Sequence, residues 1–159
     1  MYDVTFYFAH HYLEKGDRTI DQMVQAARSG KQNIAEGAAA GNTSKETEIK
    51  LTNVAKASLQ ELLVDYEDFL RVRGLKQWQH DDARLAQTKR ACAAHNDSEY
   101  YRKAMPERSA ETIANIAITL IHQTDWLLNK LIERLEIQFV ENGGVKEQMT
   151  KARKEYRGY

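Results

Sequence analysis

The chain has 159 residues with 23 basic and 23 acidic side chains, one cysteine and one proline; that length is most simply one domain with a real core, and the balanced charge excludes a chain-wide field drawing it to nucleic acid or membrane. The lone Cys92 excludes an internal disulfide framework and fits a reducing compartment. No apolar run approaches the roughly 20 residues of a membrane span and no signal-peptide pattern opens the chain, so a cytoplasmic protein is expected.

Scarce proline with abundant Ala, Glu, Lys, Gln and Leu points to an all-α structure. Tyr2, Phe6, Ala9 and Leu13 recur at helical spacing and Gly16 follows as a stop, although Val4, Phe6 and Phe8 also alternate as a strand would. Nothing resembling an N-cap precedes this first helix, so the chain is read as entering partway along it. A second helix starts at Asp17 or Thr19, the latter with Gln22 as a capping box. Its core positions are Ile20, Met23, Ala27, Gly30, Ile34, Gly37 and Gly41, a seam of coiled-coil type. Gly30 and Gly37 therefore lie inside a helix, at a propensity cost of about 1 kcal/mol each relative to alanine. A neighbouring helix approaching closely would explain them, with Asn33 and Glu36 bonded across to it or to a loop backbone.

Thr43 and Glu46 read as a capping box for a third helix of about 30 residues, roughly 45 Å long. Leu51, Ala55, Ser58, Leu62, Tyr66 and Phe69 form its stripe, widened by Leu59, Leu63 and Leu70, and Gly74 caps its end. Residues 76–106 read as an irregular insertion with short helices begun at Asp81-Asp82 and near Asn96. The last long helix is expected from Pro106 or Glu107 to Gly143-Gly144. It carries a main stripe (Ile113, Ile116, Leu120, Leu127, Leu131, Leu135, Phe139) and a second one including Ile118, Ile121, Leu128 and Ile132. A helix apolar on all sides must be buried on more than one. A second subunit is the economical cover, so a homo-oligomer is expected, with Ile118, Ile121, Leu128 and Ile132 at its interface. One domain then spans 1–143, and 144–159 form a basic C-terminal tail.

Chemistry-bearing motifs are few. Residues 28–46 look like a phosphate-binding loop, but the motif fails at Gln25 and Gln32 and lacks a preceding strand. Glu61, Asp65 and Asp68 share a helix face that reads as solvated rather than cation-binding. His10-His11 diverge by about 100° on a helix and chelate poorly together. His122 is read as stacking on Trp126. Cys92 in KRACAAH has cationic neighbours, yet lacks an oxyanion hole or an orienting acid, so packing is the better reading. No catalytic residue, metal site or cofactor is expected. Basic residues beside aromatics suit single-stranded nucleic acid. Arg84, Lys89, Arg90, Arg102 and Lys103 with Tyr100 and Tyr101 form one such set; Lys151, Arg153 and Lys154 with Tyr156 and Tyr159 form another. A symmetric oligomer would multiply either patch into useful avidity.

ARSGKQNIAEG, the TSKE cap at Thr43–Glu46 and VAKASLQELLVDYEDFL together resemble the four-helix-bundle family of 23S rRNA intervening-sequence proteins, which includes the accessory variability determinants of diversity-generating retroelements. The resemblance covers about residues 17–74 and extends to the last long helix. It implies an antiparallel up-down four-helix bundle, a ring-shaped and pentameric assembly, cytosolic bacterial origin and no catalysis. It also implies binding of RNA or DNA, or of a reverse transcriptase, through basic surface residues. Arg28, Gly30, Lys31, Asn33, Glu36 and Gly37 carry the family motif, which marks the fold. The leading expectation is a non-enzymatic oligomeric accessory of nucleic acid or of a nucleic-acid enzyme; the alternative is a structural or adaptor oligomer with protein partners only.

Overall fold

A computed structural model describes residues 1–158. In chain order it contains α1 (Tyr2–Tyr12), α2 (Arg18–Ala40), α3 (Lys45–Val72), α4 (Ala83–Ala94), α5 (Ser98–Ala104), a 3-10 turn at Met105–Glu107, α6 (Ala110–Asn142) and α7 (Val145–Arg157). No strand forms among the described residues, so the alternation of Val4, Phe6 and Phe8 does not express itself.

Five of the seven α-helices among the described residues start by one rule, α1 and α7 being the exceptions. Asp17, Ser44, Asp82, Asp97 and Ser109 each accept a backbone N–H two or three residues on, satisfying a donor the helix cannot. Ser44 displaces the expected Thr43 because the Thr43 hydroxyl turns back to the Ala40 carbonyl, 3.0 Å away. Pro106 falls in the 3-10 turn, and α6 begins only after Ser109. Gly74, at φ +63°, lets Leu75 N–H return to the Leu70 carbonyl and its own N–H to Arg71, which is a Schellman close for α3.

Packing starts with α2 against α3. A Cβ at Gly30 would meet the Leu59 side chain, and one at Gly37 would meet Leu51 and the Glu48 carbonyl. Partner numbers fall along α3 as they rise along α2, so the pair runs antiparallel. The crossing hydrogen bond joins Ser29 and Ser58 hydroxyls, 2.9 Å apart. Asn33 supports it from within α2, donating to the Ser29 carbonyl and hydroxyl, and Glu36 stays exposed. Neither makes the inter-helix bond expected of it; Ser29, one turn before Asn33, makes it instead.

α1 packs on α2 and α6. It buries Val4, Thr5, Phe8 and Ala9 and leaves Phe6 exposed, so its stripe is rotated from the expected Tyr2–Phe6–Ala9–Leu13 line. The rotation puts the Phe8 ring 4.9 Å from Tyr66 and 4.7 Å from Phe69. It also lets the buried Tyr66 hydroxyl donate to Thr5 Oγ1 at 3.0 Å. Burial pushes the Tyr66 phenol far above its usual range, so it remains a donor.

α6 is 33 residues, about 50 Å at 1.5 Å per residue. It packs antiparallel on α3, with Lys56 reaching Asn129 and Asp125. Its first half is buried all round, as its composition requires, but the chain itself supplies the second cover. Segment 76–78 and α4 lie over the side opposite the core. This overturns the inference of a second subunit from residues 113–121. Ile118, Ile121 and Leu128 are buried inside the chain and Ile132 half-buried, so they are not a free interface. The apolar residues left exposed on α6 are Trp126, Leu127, Ile137 and Val140.

Candidate ligand groove and basic helix

Two places outside the core gather functional groups. The larger is a groove of about 830 Å³ between segment 77–80, α4 and α6. Its floor is positioned by Asn115, a polar residue buried in the apolar run of α6. Asn115 Oδ1 accepts the Trp78 N–H at 2.8 Å, and its Nδ2 donates to the Lys76 and Glu111 carbonyls. One side chain thus ties a loop with no regular structure to the long helix. Thr119, one turn on, donates to the Asn115 carbonyl and also lines the groove.

A charge network lies beside the groove, against Trp78. Asp82 caps α4 while its carboxylate accepts from Arg84 Nε at 3.0 Å and Nη2 at 2.9 Å, and Lys76 Nζ lies 3.1 Å away. These partners, Arg84 foremost, hold the Asp82 carboxyl well below the usual carboxylate range. Arg84 also lies over the Trp78 ring, 4.8 Å from its centroid, and 3.4 Å from Glu111. Its guanidinium, although about half exposed, is thus engaged by partners within the chain. Gln123 Nε2 donates to the Lys89 carbonyl, fixing α4 to α6.

Other expected residues divide in the same way. Lys103 pairs with Glu99 at 2.7 Å and Arg102 with Asp3 at 3.8 Å. Tyr100 stacks on His95, and Tyr101 is buried with its hydroxyl on the His95 carbonyl, so neither offers a free face. Lys89 is exposed at the groove and Arg90 is exposed on α4. Lys151, Arg153 and Lys154 stand on α7, which buries no residue. α7 begins beside the α2–α3 turn and Phe139, whereas α4 covers the other half of α6. The two basic sets therefore form separate patches. Arg28 is exposed, and Lys31 lies over the Tyr2 ring.

Cys92 is buried, and burial raises its thiol pKa, so it stays protonated and packs. His10 and His11 donate through Nδ1 to Phe6 and Tyr7 carbonyls and stack on those same rings. Among the described residues no three His, Cys, Asp or Glu side chains converge as metal ligands. No helix among the described residues is long and apolar enough to cross a membrane.

The groove is invisible to sequence periodicity because its residues come from three segments. Its one sequence signal is Asn115 and Thr119, polar at i and i+4 within an otherwise apolar stretch. His122 and Trp126 both line it, with no ring stack between them. Comparison with protein-family models, curated proteins and solved structures finds no match.

Proposed function

We propose that the chain is a non-enzymatic, antiparallel up-down four-helix bundle of α1, α2, α3 and α6 that presents α7 to nucleic acid or to a nucleic-acid enzyme such as a reverse transcriptase. α7 carries the reading. It holds five basic residues against two acidic ones in a chain of zero net charge. Among the described residues none of those five is in an ion pair, whereas Arg84, Arg102 and Lys103 all are. Unpaired cations on an exposed helix release counterions when they meet phosphates. Tyr156, 94% exposed on the same helix, adds a face for a base to stack on.

Anisotropy with labelled single-stranded RNA and DNA across a salt series tests this. Affinity falls steeply with salt, and the triple variant K151E/R153E/K154E flattens the log–log slope by about 2, since each phosphate that is no longer neutralised removes about 0.7. Absence of binding at about 50 mM salt overturns the reading.

An oligomer with protein partners only is the second reading, favoured by α6. Trp126, Lys130, Glu133, Ile137 and Val140 follow 4-3-4-3 spacing, and Val140 is 81% exposed. Its three apolar places suit contact with another helix, with Lys130 and Glu133, paired to each other at 2.8 Å, between them. Light scattering after size exclusion reports the assembly: a ring, of five copies by the family resemblance, supports this contact, and a monomer at micromolar concentration refutes it.

A further inference from the structure

The groove between α4 and α6 brings apolar, amide and imidazole side chains together. The chain has 23 acidic residues, yet no carboxylate lines this groove. Its lining combines apolar side chains with amides and the imidazoles of His80 and His122, and Lys89 of α4 is its one lysine or arginine. Both tryptophans of the chain line it. Trp78 is buried and pinned by Asn115, while Trp126 is 60% exposed. The Gln123 amide nitrogen is engaged by the Lys89 carbonyl, which leaves Oε1 as an acceptor. Asn96 and His122 have no hydrogen-bond partner among the described residues. Its size falls within the range of small-molecule sites, about 300–1,000 Å³.

We propose that this groove holds a nucleotide unit, with the base against Trp126 and the phosphate on Lys89. A base offers a flat π-face that stacks on an indole and an edge of adjacent donors and acceptors that amides match. Asn96, Gln123 Oε1 and the His122 ring supply that mixed edge. The lack of carboxylates matters for the rest of the ligand: one would repel the phosphate and would favour a cation or a sugar hydroxyl instead. A lipid tail would leave the unpartnered amide and imidazole groups without hydrogen bonds. This goes beyond the α7 reading, because it concerns another part of the molecule and the base rather than the backbone. The unit is either a free mononucleotide or one residue of a single strand.

Calorimetry of the full chain with AMP, UMP, their nucleosides and ribose 5-phosphate tests the proposal, with tryptophan fluorescence as the local reporter. The nucleotides bind and quench, and ribose 5-phosphate does neither. Trp126→Ala weakens nucleotide binding about ten-fold, as loss of one stacked base does, and Trp126→Phe restores most of it. Trp126 is exposed, so neither change threatens folding. Lys89→Ala weakens the nucleotide more than the nucleoside. Short single-stranded oligonucleotides separate the two sources: weakening by Trp126→Ala there too places a strand in the groove, and weakening confined to mononucleotides places a free nucleotide. K151E/R153E/K154E leaves mononucleotide affinity unchanged, so failure of the α7 reading and failure of this one are read separately. Binding of ribose 5-phosphate as strong as that of AMP overturns the proposal. So does indifference to Trp126→Ala, or absence of heat and quenching at about 1 mM ligand.

Discussion

Leu59 of α3 stands where a side chain on Gly30 of α2 would begin: a Cβ at position 30 would lie 3.2 Å from Leu59 Cδ2 and 3.7 Å from the Ala55 carbonyl. One heptad on, a Cβ at Gly37 would lie 3.3 Å from Leu51 Cβ and 3.4 Å from the Glu48 carbonyl. The two positions differ in what can yield. Leu59 offers the mobile end of a side chain, while Leu51 Cβ and a main-chain oxygen are fixed by α3. Gly30→Ala therefore gains about 1 kcal/mol of helix propensity, most of it offset by displacing Leu59. Gly37→Leu drives α2 and α3 apart and costs about 3 kcal/mol or more. Urea unfolding of the two variants checks the contrast, and equal midpoints would refute the close approach at Gly37.

Asn115 is the hinge pin of the groove, and its removal has a local signature. Asn115→Ala strands the buried Trp78 N–H and frees the Lys76 carbonyl, at a cost of about 1–3 kcal/mol. Global unfolding alone would not separate this from loss of packing. Hydrogen exchange does: the Trp78 amide is protected in the parent and exchanges fast in the variant, while amides in the middle of α2 keep their ranking. Protection of Trp78 in both proteins would mean that the loop is held by something other than Asn115.

The helices are legible in the sequence because their ends are punctuated. Gly16, Gly41-Asn42, Gly74 and Gly143-Gly144 follow α1, α2, α3 and α6 within a few residues. A cap shifts by a residue where two competent side chains adjoin, as at Thr43 and Ser44, since only the turn geometry decides which hydroxyl faces the helix. The α2 seam is legible as well, because a glycine repeated at seam spacing inside a helix has few causes. What covers the outer side of α6 is not. Periodicity shows that a face is buried but carries no information on its cover, and an irregular loop competes with another subunit for that role. Asn115 and Thr119 hold the missing clue, for a second subunit seldom needs a buried amide, whereas a loop's unpaired backbone does. The basic residues mislead for a related reason: charge is visible in sequence, but the partner that neutralises it, such as Asp82 or Glu111 for Arg84, is chosen by the fold.

Asp82 gives the fold an acid-side weakness with a defined sign. Its carboxyl titrates near 3.9 in an unfolded chain and well below that in the folded protein, chiefly through Arg84 and then Lys76. A depressed carboxyl contributes stability that is complete above about pH 4 and is lost as pH falls from there through the folded value. Asp82→Asn isolates this charge, because asparagine caps a helix as well as aspartate does and the bond to the Arg84 N–H survives. The variant should melt below the parent at about pH 5–7, and the gap should close progressively below about pH 4, as the unfolded parent chain takes up a proton at Asp82 that the folded protein does not. Raised salt should narrow it too, since Lys76 and Arg84 are about half exposed. Thermal melts of both proteins across this range decide the matter. No gap at either pH 3 or pH 7 would show that Asp82 acts as a cap alone, with its ion pairs contributing nothing to stability.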